Sequence, residues 1–138
     1  MRFLYTLAIR SYALGIRMAA LLGHAKAKLW VNGRKQLPDT EIDDGEWIWF
    51  HAASLGEFEQ GRPVMEAIKA QHPKYKILLS FFSPSGYEIR KNYAFADEVL
   101  YLPTDTPAHA AQWLQRHRFV AAFFIKYEFW FNYMRALK

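Results

Sequence analysis

Hydrophobic and polar positions along this chain fall into three successive regimes. Residues 1–23 (MRFLYTLAIRSYALGIRMAALLG) are apolar almost throughout, interrupted by Arg2, Arg10 and Arg17. At about 100° per residue, Arg2, Thr6, Arg10, Arg17 and His24 share an arc of roughly 80°, and most of the remaining wheel is Phe, Leu, Ile, Ala, Met and Tyr. That pattern predicts an amphipathic helix with a narrow basic stripe and a wide apolar face. Residues 24–37 are basic and predict a partial helix closing at or soon after Gly33. Residues 38–46 (PDTEIDDGE) are acidic, carry turn formers, and read as a linker.

From residue 47 onward, apolar runs alternate with helical patterns. Strands are predicted at 47–52, 76–82, 98–102 and 119–125, and helices at 57–71, 85–93, 107–116 and 128–137. In the first of these helices Val64 and Ile68 are expected to face the core. The strands lack period-2 alternation and are separated by helices, which predicts a parallel sheet with helices on both faces. The fold class is α/β, Rossmann-like. In such a sheet the strand-to-helix turns emerge at one edge, where ligands bind. Here those turns are 54–57, 83–86, 103–107 and 126–128, and they hold most of the small, polar and charged candidates.

Composition changes this picture in three ways. With 138 residues, 52% of them hydrophobic, the chain can bury a real core as one domain of ordinary size. The absence of cysteine excludes disulfides and thiolate metal sites, and no pair of His or carboxylate residues shows ligand spacing on one face, so no metal site is expected. A net charge of +5 favours anionic partners such as phosphates or acidic lipid. Nucleic acid is not expected, because the basic residues are dispersed and no RNP, zinc-finger or helix-turn-helix pattern is present.

No uncharged run in residues 1–23 approaches the roughly 20 residues a membrane span requires. Arg10 and Arg17 would also break the apolar core of a signal peptide. The expectation for this helix is therefore to lie in a bilayer interface beside anionic head groups. The plainer alternative is a helix packed on its own domain or on a partner protein.

Among the candidate residues, Ser54-x-x-Glu57 matches a capping box. That reading explains Ser54 and could explain Glu57 completely. It leaves His51 unexplained, and also Gly56, which has no propensity advantage in a first helical turn but would let a ligand approach the backbone. At the ligand edge, Glu57 could instead take a proton from a substrate hydroxyl. Ser83, Ser85 and Gly86 sit at a helix start whose free N–H groups suit phosphate or carboxylate. The plainer reading is an N-cap, with Ser85 and Glu88 as a second box. No GxGxxG or Walker pattern accompanies it.

Thr106-Pro107 reads as a helix start, with Asp105 in a capping or turn role and no chemistry. His109 and His117 are expected on a solvated helix face. Glu128 reads as a helix cap or as a buried carboxylate needing a partner, for which Lys126 or Arg90 are candidates.

Taken in order, HAASLGEFEQ (51–60), KILLSFFSPSG (76–86), YLPTDTP (101–107) and KYEFWFN (126–132) resemble the N-terminal domain of the 3-deoxy-D-manno-octulosonic acid (Kdo) transferase family. The resemblance covers the whole chain, and its specificity lies in the joint order and spacing of four motifs. It implies a GT-B architecture, two Rossmann-like domains with the active site between them. Residues 1–23 would be a membrane-associating helix, with Arg2, Arg10 and Arg17 toward the surface. Residues 24–46 would be a basic helix and linker, and residues 47–138 the acceptor-binding domain.

The resemblance further implies transfer of Kdo from CMP-Kdo to a lipid A precursor in lipopolysaccharide synthesis, with no cofactor and no metal. It places the enzyme at the cytoplasmic face of the cell inner membrane, peripheral or anchored. Glu57 is the implied general base, and Ser54, Gly56, Ser83, Ser85, Gly86 and Glu128 are the implied substrate-binding residues. The family pattern E-x-W-P-N reads Glu128-Phe129-Trp130-Phe131-Asn132 here, with Phe131 in place of proline. Because CMP-Kdo would be bound mainly by a C-terminal domain beyond Lys138, these residues alone are expected to be inactive. The competing expectation is a non-catalytic, membrane-docking Rossmann-like module that binds an anionic ligand.

Overall fold

The structure, a computed structural model, describes residues 2–35 and 44–138, so the expected linker falls largely outside the described residues. The elements run α1 (Arg2–Leu21), α2 (Ala25–Lys35), β1 (Glu46–Ala52), α3 (Leu55–Gln71), β2 (Lys76–Phe81), α4 (Pro84–Arg90), β3 (Glu98–Tyr101), α5 (Pro107–Leu114), β4 (Arg118–Phe124) and α6 (Phe131–Ala136). They belong to two compact units. One unites the N-terminal helices with Pro103–Gln115 and Trp130–Lys138, and the other holds the sheet with α3 and α4.

The sheet is four-stranded and parallel, in the order β3-β2-β1-β4. Strand β1 lies inside the sheet and is buried from Trp47 to Ala52. Its alternation is real but has no polar phase. Ile48, Phe50 and Ala52 join Ile77, Leu79 and Phe81 in the core against Phe58 and Met65 of α3. Helix α3 meets that core through Phe58, Gly61 and Met65, and Ile68 packs against it partly buried. Val64, expected in the core, is instead 48% exposed. It lies about 100° round the helix from Met65, outside the packed stripe. A side chain at Gly61 would run into Ile125, so this helix approaches the chain after β4 closely.

Strand β4 forms an edge, and its apolar Val120 and Phe123 remain substantially exposed. At the opposite end of the strands His117 is buried, contrary to the expected solvated position. Its ring stacks on Trp47 with centroids 3.7 Å apart, and its Nε2 lies 2.9 Å from Glu98 Oε2. His117 precedes β4 and is not on a helix face at all. Glu88, expected to form a box with Ser85, instead pairs with Lys91 and accepts from the Tyr101 hydroxyl.

In the helical unit, α1 half-buries Tyr5, Ile9, Ile16 and Ala20 around a buried Ala13. Phe3, Leu4, Leu7, Leu14, Met18, Leu21 and Leu22 stay exposed, and all fall within about 100° of the helical wheel. The apolar part of the wheel therefore divides into a packed stripe and an exposed one. His24 leaves the basic stripe, because the chain turns at Gly23 (φ 98°) and His24 Nδ1 then accepts from the Ala27 N–H at the start of α2 (3.4 Å). No helix among the described residues is long and apolar enough to cross a membrane.

Asp105 organises this unit. It is fully buried, and its carboxylate accepts from the Tyr5 hydroxyl (2.6 Å) and from the backbone N–H groups of Asn132 and Tyr133 (3.0 Å each). Its carbonyl also accepts from Asn132 Nδ2 (2.8 Å). The expected capping role is present, but it serves the start of α6, while Thr106 caps α5. Burial, reinforced by the Asp105 hydrogen bond, pushes the Tyr5 hydroxyl far above its ordinary range, so it stays a donor. Replacing Asp105 by Ala strands several buried donors at once. The Asp105→Ala variant is expected to lose about 3 kcal/mol or more in urea denaturation, and Asp105→Asn, which keeps one acceptor, to lose less.

Candidate active site

From β1 the chain steps through β2 to β3 on one side, whereas β4 lies on the other. The strand order therefore reverses between β1 and β4. In open parallel sheets the loops leaving the carboxyl ends part at such a point and leave a crevice for ligand. Residues 53–57 follow β1 there, and residues 125–130 follow β4. The Ile125 N–H donates to His51 O (2.9 Å), which holds these two exits together. The Ser83 N–H donates to Ala53 O (2.8 Å), which brings the turn after β2 alongside.

His51 is the buried centre of this edge, with no exposed surface. Its Nδ1 lies 2.8 Å from Ser80 Oγ, and Ser80 Oγ in turn accepts from Trp49 Nε1 (2.8 Å). Its Nε2 faces Glu128 Oε2 at 3.3 Å. Burial is the largest influence on the imidazole and holds its pKa below the ordinary value. The Glu128 hydrogen bond and charge, Ser80 and the charge of Glu57 pull weakly the other way. The ring is therefore neutral near pH 7. An ionised carboxylate only accepts hydrogen bonds, so the single ring proton belongs on Nε2 toward Glu128, and Nδ1 accepts from the Ser80 hydroxyl.

Glu128 is not in a helix. The last helix begins at Phe131 with Trp130 as its N-cap, and Glu128 lies in the irregular stretch before it. Its partner is His51, where Lys126 or Arg90 had been expected; Arg90 pairs with Glu59. Lys126 adopts φ 63°, a left-handed backbone that costs free energy in a non-glycine residue. That conformation lies in the turn that carries the chain from β4 to Glu128.

Glu57 stands in the first turn of α3, half-buried. Its Oε2 accepts from the Ser54 N–H at 3.0 Å, the reach-back of a capping box, and lies 3.4 Å from Ser54 Oγ. Among the described residues Oε1 accepts no hydrogen bond. One carboxylate oxygen thus caps the helix while the other remains available to chemistry. Gly56 is exposed and a side chain there would meet nothing, so internal packing does not account for this glycine.

The turn after β2 is built differently. Ser83 is the N-cap of α4 and accepts from the Ser85 N–H (3.3 Å), with the two hydroxyls 3.0 Å apart. Ser85 is exposed, but Gly86 is buried and a side chain there would collide with the Phe81 ring. Packing alone requires that glycine. The edge of the sheet unit thus brings together Ser54, Gly56, Glu57, Ser83, Ser85 and Glu128. The turn at 103–107 belongs to the helical unit, and so do Arg2, Arg10 and Arg17, all exposed on α1. Ser80 and Trp49 were missed by sequence reasoning. A lone serine inside KILLSFF was the available signal, since a buried hydroxyl needs a partner.

Comparison with known proteins places these motifs in a family. The family model described as 3-deoxy-D-manno-octulosonic-acid transferase (kdotransferase) matches residues 17–138. A 3-deoxy-D-manno-octulosonic acid transferase of Aquifex aeolicus (strain VF5) is 33% identical over 84 residues, covering 60% of this chain and 23% of that protein. One of Haemophilus influenzae (strain ATCC 51907 / DSM 11121 / KW20 / Rd) is 35% identical over 75 residues, covering 53% and 16%. A bifunctional glycosyltransferase/methyltransferase of Fusobacterium nucleatum subsp. nucleatum is 27% identical over 110 residues, covering 78% and 17%. The matched segments therefore span less than a quarter of the length of these relatives.

The buried imidazole has a measurable consequence. Below its ordinary pKa of about 6.5, His51 in the unfolded chain takes up a proton that the folded chain refuses. Its contribution to stability is therefore full above that value and falls as pH drops toward the depressed folded value, by up to about 1.4 kcal/mol per pH unit. In urea denaturation at pH 7 and pH 5, His51→Gln is expected to be less stable at pH 7 and to show a flatter loss toward pH 5 than the parent.

Proposed function

The chain belongs to the 3-deoxy-D-manno-octulosonic-acid transferase family, and from that premise we propose that it is the acceptor-side half of a GT-B enzyme that transfers Kdo from CMP-Kdo to a lipid A precursor. The observation that carries this reading is the placement of Glu57 and Glu128 around His51 at the point where the strand order reverses. In the reaction, Glu57 Oε1 takes the proton from an acceptor hydroxyl. The acceptor oxygen forms its bond to the anomeric carbon of Kdo while the bond from that carbon to the CMP phosphate oxygen breaks, and CMP leaves with the electron pair. No metal or cofactor is invoked.

The remaining residues bind and position. Glu128, hydrogen-bonded to His51, accepts from acceptor hydroxyls, and the open space over Gly56 gives the acceptor access to Glu57. The serines at 54, 83 and 85 offer hydroxyls along the same edge, while Gly86 serves the site through the close packing of α4. The donor is bound mainly by a second domain. The exposed apolar stripe of α1, with Arg10 and Arg17 at its border and Arg2 at its start, supports peripheral attachment at the cytoplasmic face of the inner membrane.

The decisive variant is Glu57→Gln in the full-length protein. It keeps the shape and the cap but removes the base, so turnover is expected to fall by about 10²- to 10⁴-fold, with vesicle binding unchanged. Near-parental turnover would remove Glu57 from the base role.

A further inference from the structure

A cavity of about 680 Å³ opens within the helical unit, between the end of α1, helix α2 and the start of α5. Arg17, Lys28, Arg34 and Lys35 line it, and no carboxylate among the described residues does. Four like charges around one concavity repel one another, and low-dielectric walls focus their field. The arrangement favours an anion. Arg34 is pre-oriented there, because its guanidinium lies 3.8 Å over the Trp30 ring and its Nη1 donates to Trp30 O (3.2 Å). A planar cation held this way suits a phosphate better than a freely moving lysine does.

Leu21, Trp30, Val31 and Pro103 give the lining an apolar part, beside the polar Asn32, Thr104, His109 and Gln112. Leu21 and its neighbour Leu22 are 81% and 86% exposed and continue the bare apolar stripe of α1. A free inorganic anion gains nothing from such surroundings, whereas an amphiphile uses both parts. We propose that this cavity is a head-group site for an anionic phospholipid of the bilayer surface, with the phosphate among Lys28, Arg34 and Lys35 and the acyl chains leaving over Leu21 and Leu22. This inference rests on the reading of α1 as a membrane-surface helix. It adds a defined lipid site to what would otherwise be diffuse attraction.

The test separates the two. Titration calorimetry with water-soluble dihexanoyl-phosphatidylglycerol is expected to show saturable binding. Lys28→Glu/Lys35→Glu should weaken it at least about tenfold, and so should Gln112→Trp, which fills the cavity without changing charge. Arg2→Gln/Arg10→Gln should leave it unchanged while reducing co-sedimentation with phosphatidylcholine–phosphatidylglycerol vesicles. Parental short-chain lipid binding in both cavity variants, with circular dichroism showing them folded, would overturn the proposal, as would inorganic phosphate binding as tightly as the lipid. Equal loss in the Arg2/Arg10 variant would reduce the site to diffuse charge. Unchanged vesicle binding in that variant, with the cavity variants impaired, would remove the α1 stripe and leave the cavity standing.

Discussion

Trp47 to Ala52 of β1 lose nearly all contact with water because β2 and β4 pair on either side and side chains cover both faces of the strand. Burial of this kind tolerates a polar group only when that group is fully partnered. His51, the penultimate residue of this strand, is the place where the requirement bites. Ser80 answers it from the neighbouring strand and Glu128 from the loop beyond β4. The same contacts that make the core possible therefore fix where the second carboxylate of the candidate site stands. A change at His51 would disturb packing and site geometry together, which is why its pH signature is more informative than simple loss of activity.

Three acidic residues show how burial divides roles. Asp105 is completely enclosed, and both its oxygens are committed to donors from Tyr5 and the start of α6, so it is structural. Glu128 is largely buried and held by a neutral imidazole. Glu57 is half-buried, with one oxygen on the Ser54 N–H and the other uncommitted among the described residues. A capping carboxylate and a reactive one are often treated as alternatives. In Glu57 the capping box occupies only one of the two oxygens, so the cap leaves room for the base role proposed for the other.

The N-terminal helix follows a different logic. A helix that packed all its apolar residues would be an ordinary part of the core. Helix α1 instead buries one stripe and leaves Phe3, Leu4, Leu7, Leu14, Met18, Leu21 and Leu22 bare. A continuous exposed apolar surface implies a non-aqueous neighbour. On the proposed reading that neighbour is a lipid surface, with the arginines beside the stripe and the cationic cavity at its end facing anionic head groups.

Periodicity along the chain was enough to determine the α/β class and the order of strands and helices from residue 47 onward, because strand burial and helix spacing are properties of local runs. The order of motifs was enough to point to the family. Other features depended on neighbours that no local run contains. Val64 misses the core because Phe58, Gly61 and Met65 set the packed face of α3. His117 leaves solvent because Trp47 and Glu98, far away in sequence, provide a stacking surface and an acceptor. Gly86 makes room for the Phe81 ring across the turn from β2 to α4, and Glu128 pairs with His51 across a separation that only the pairing of β1 with β4 closes. Whether a polar residue is solvated, structural or poised for chemistry is set by the partners that folding brings within hydrogen-bond reach, and only the tertiary structure decides those partners.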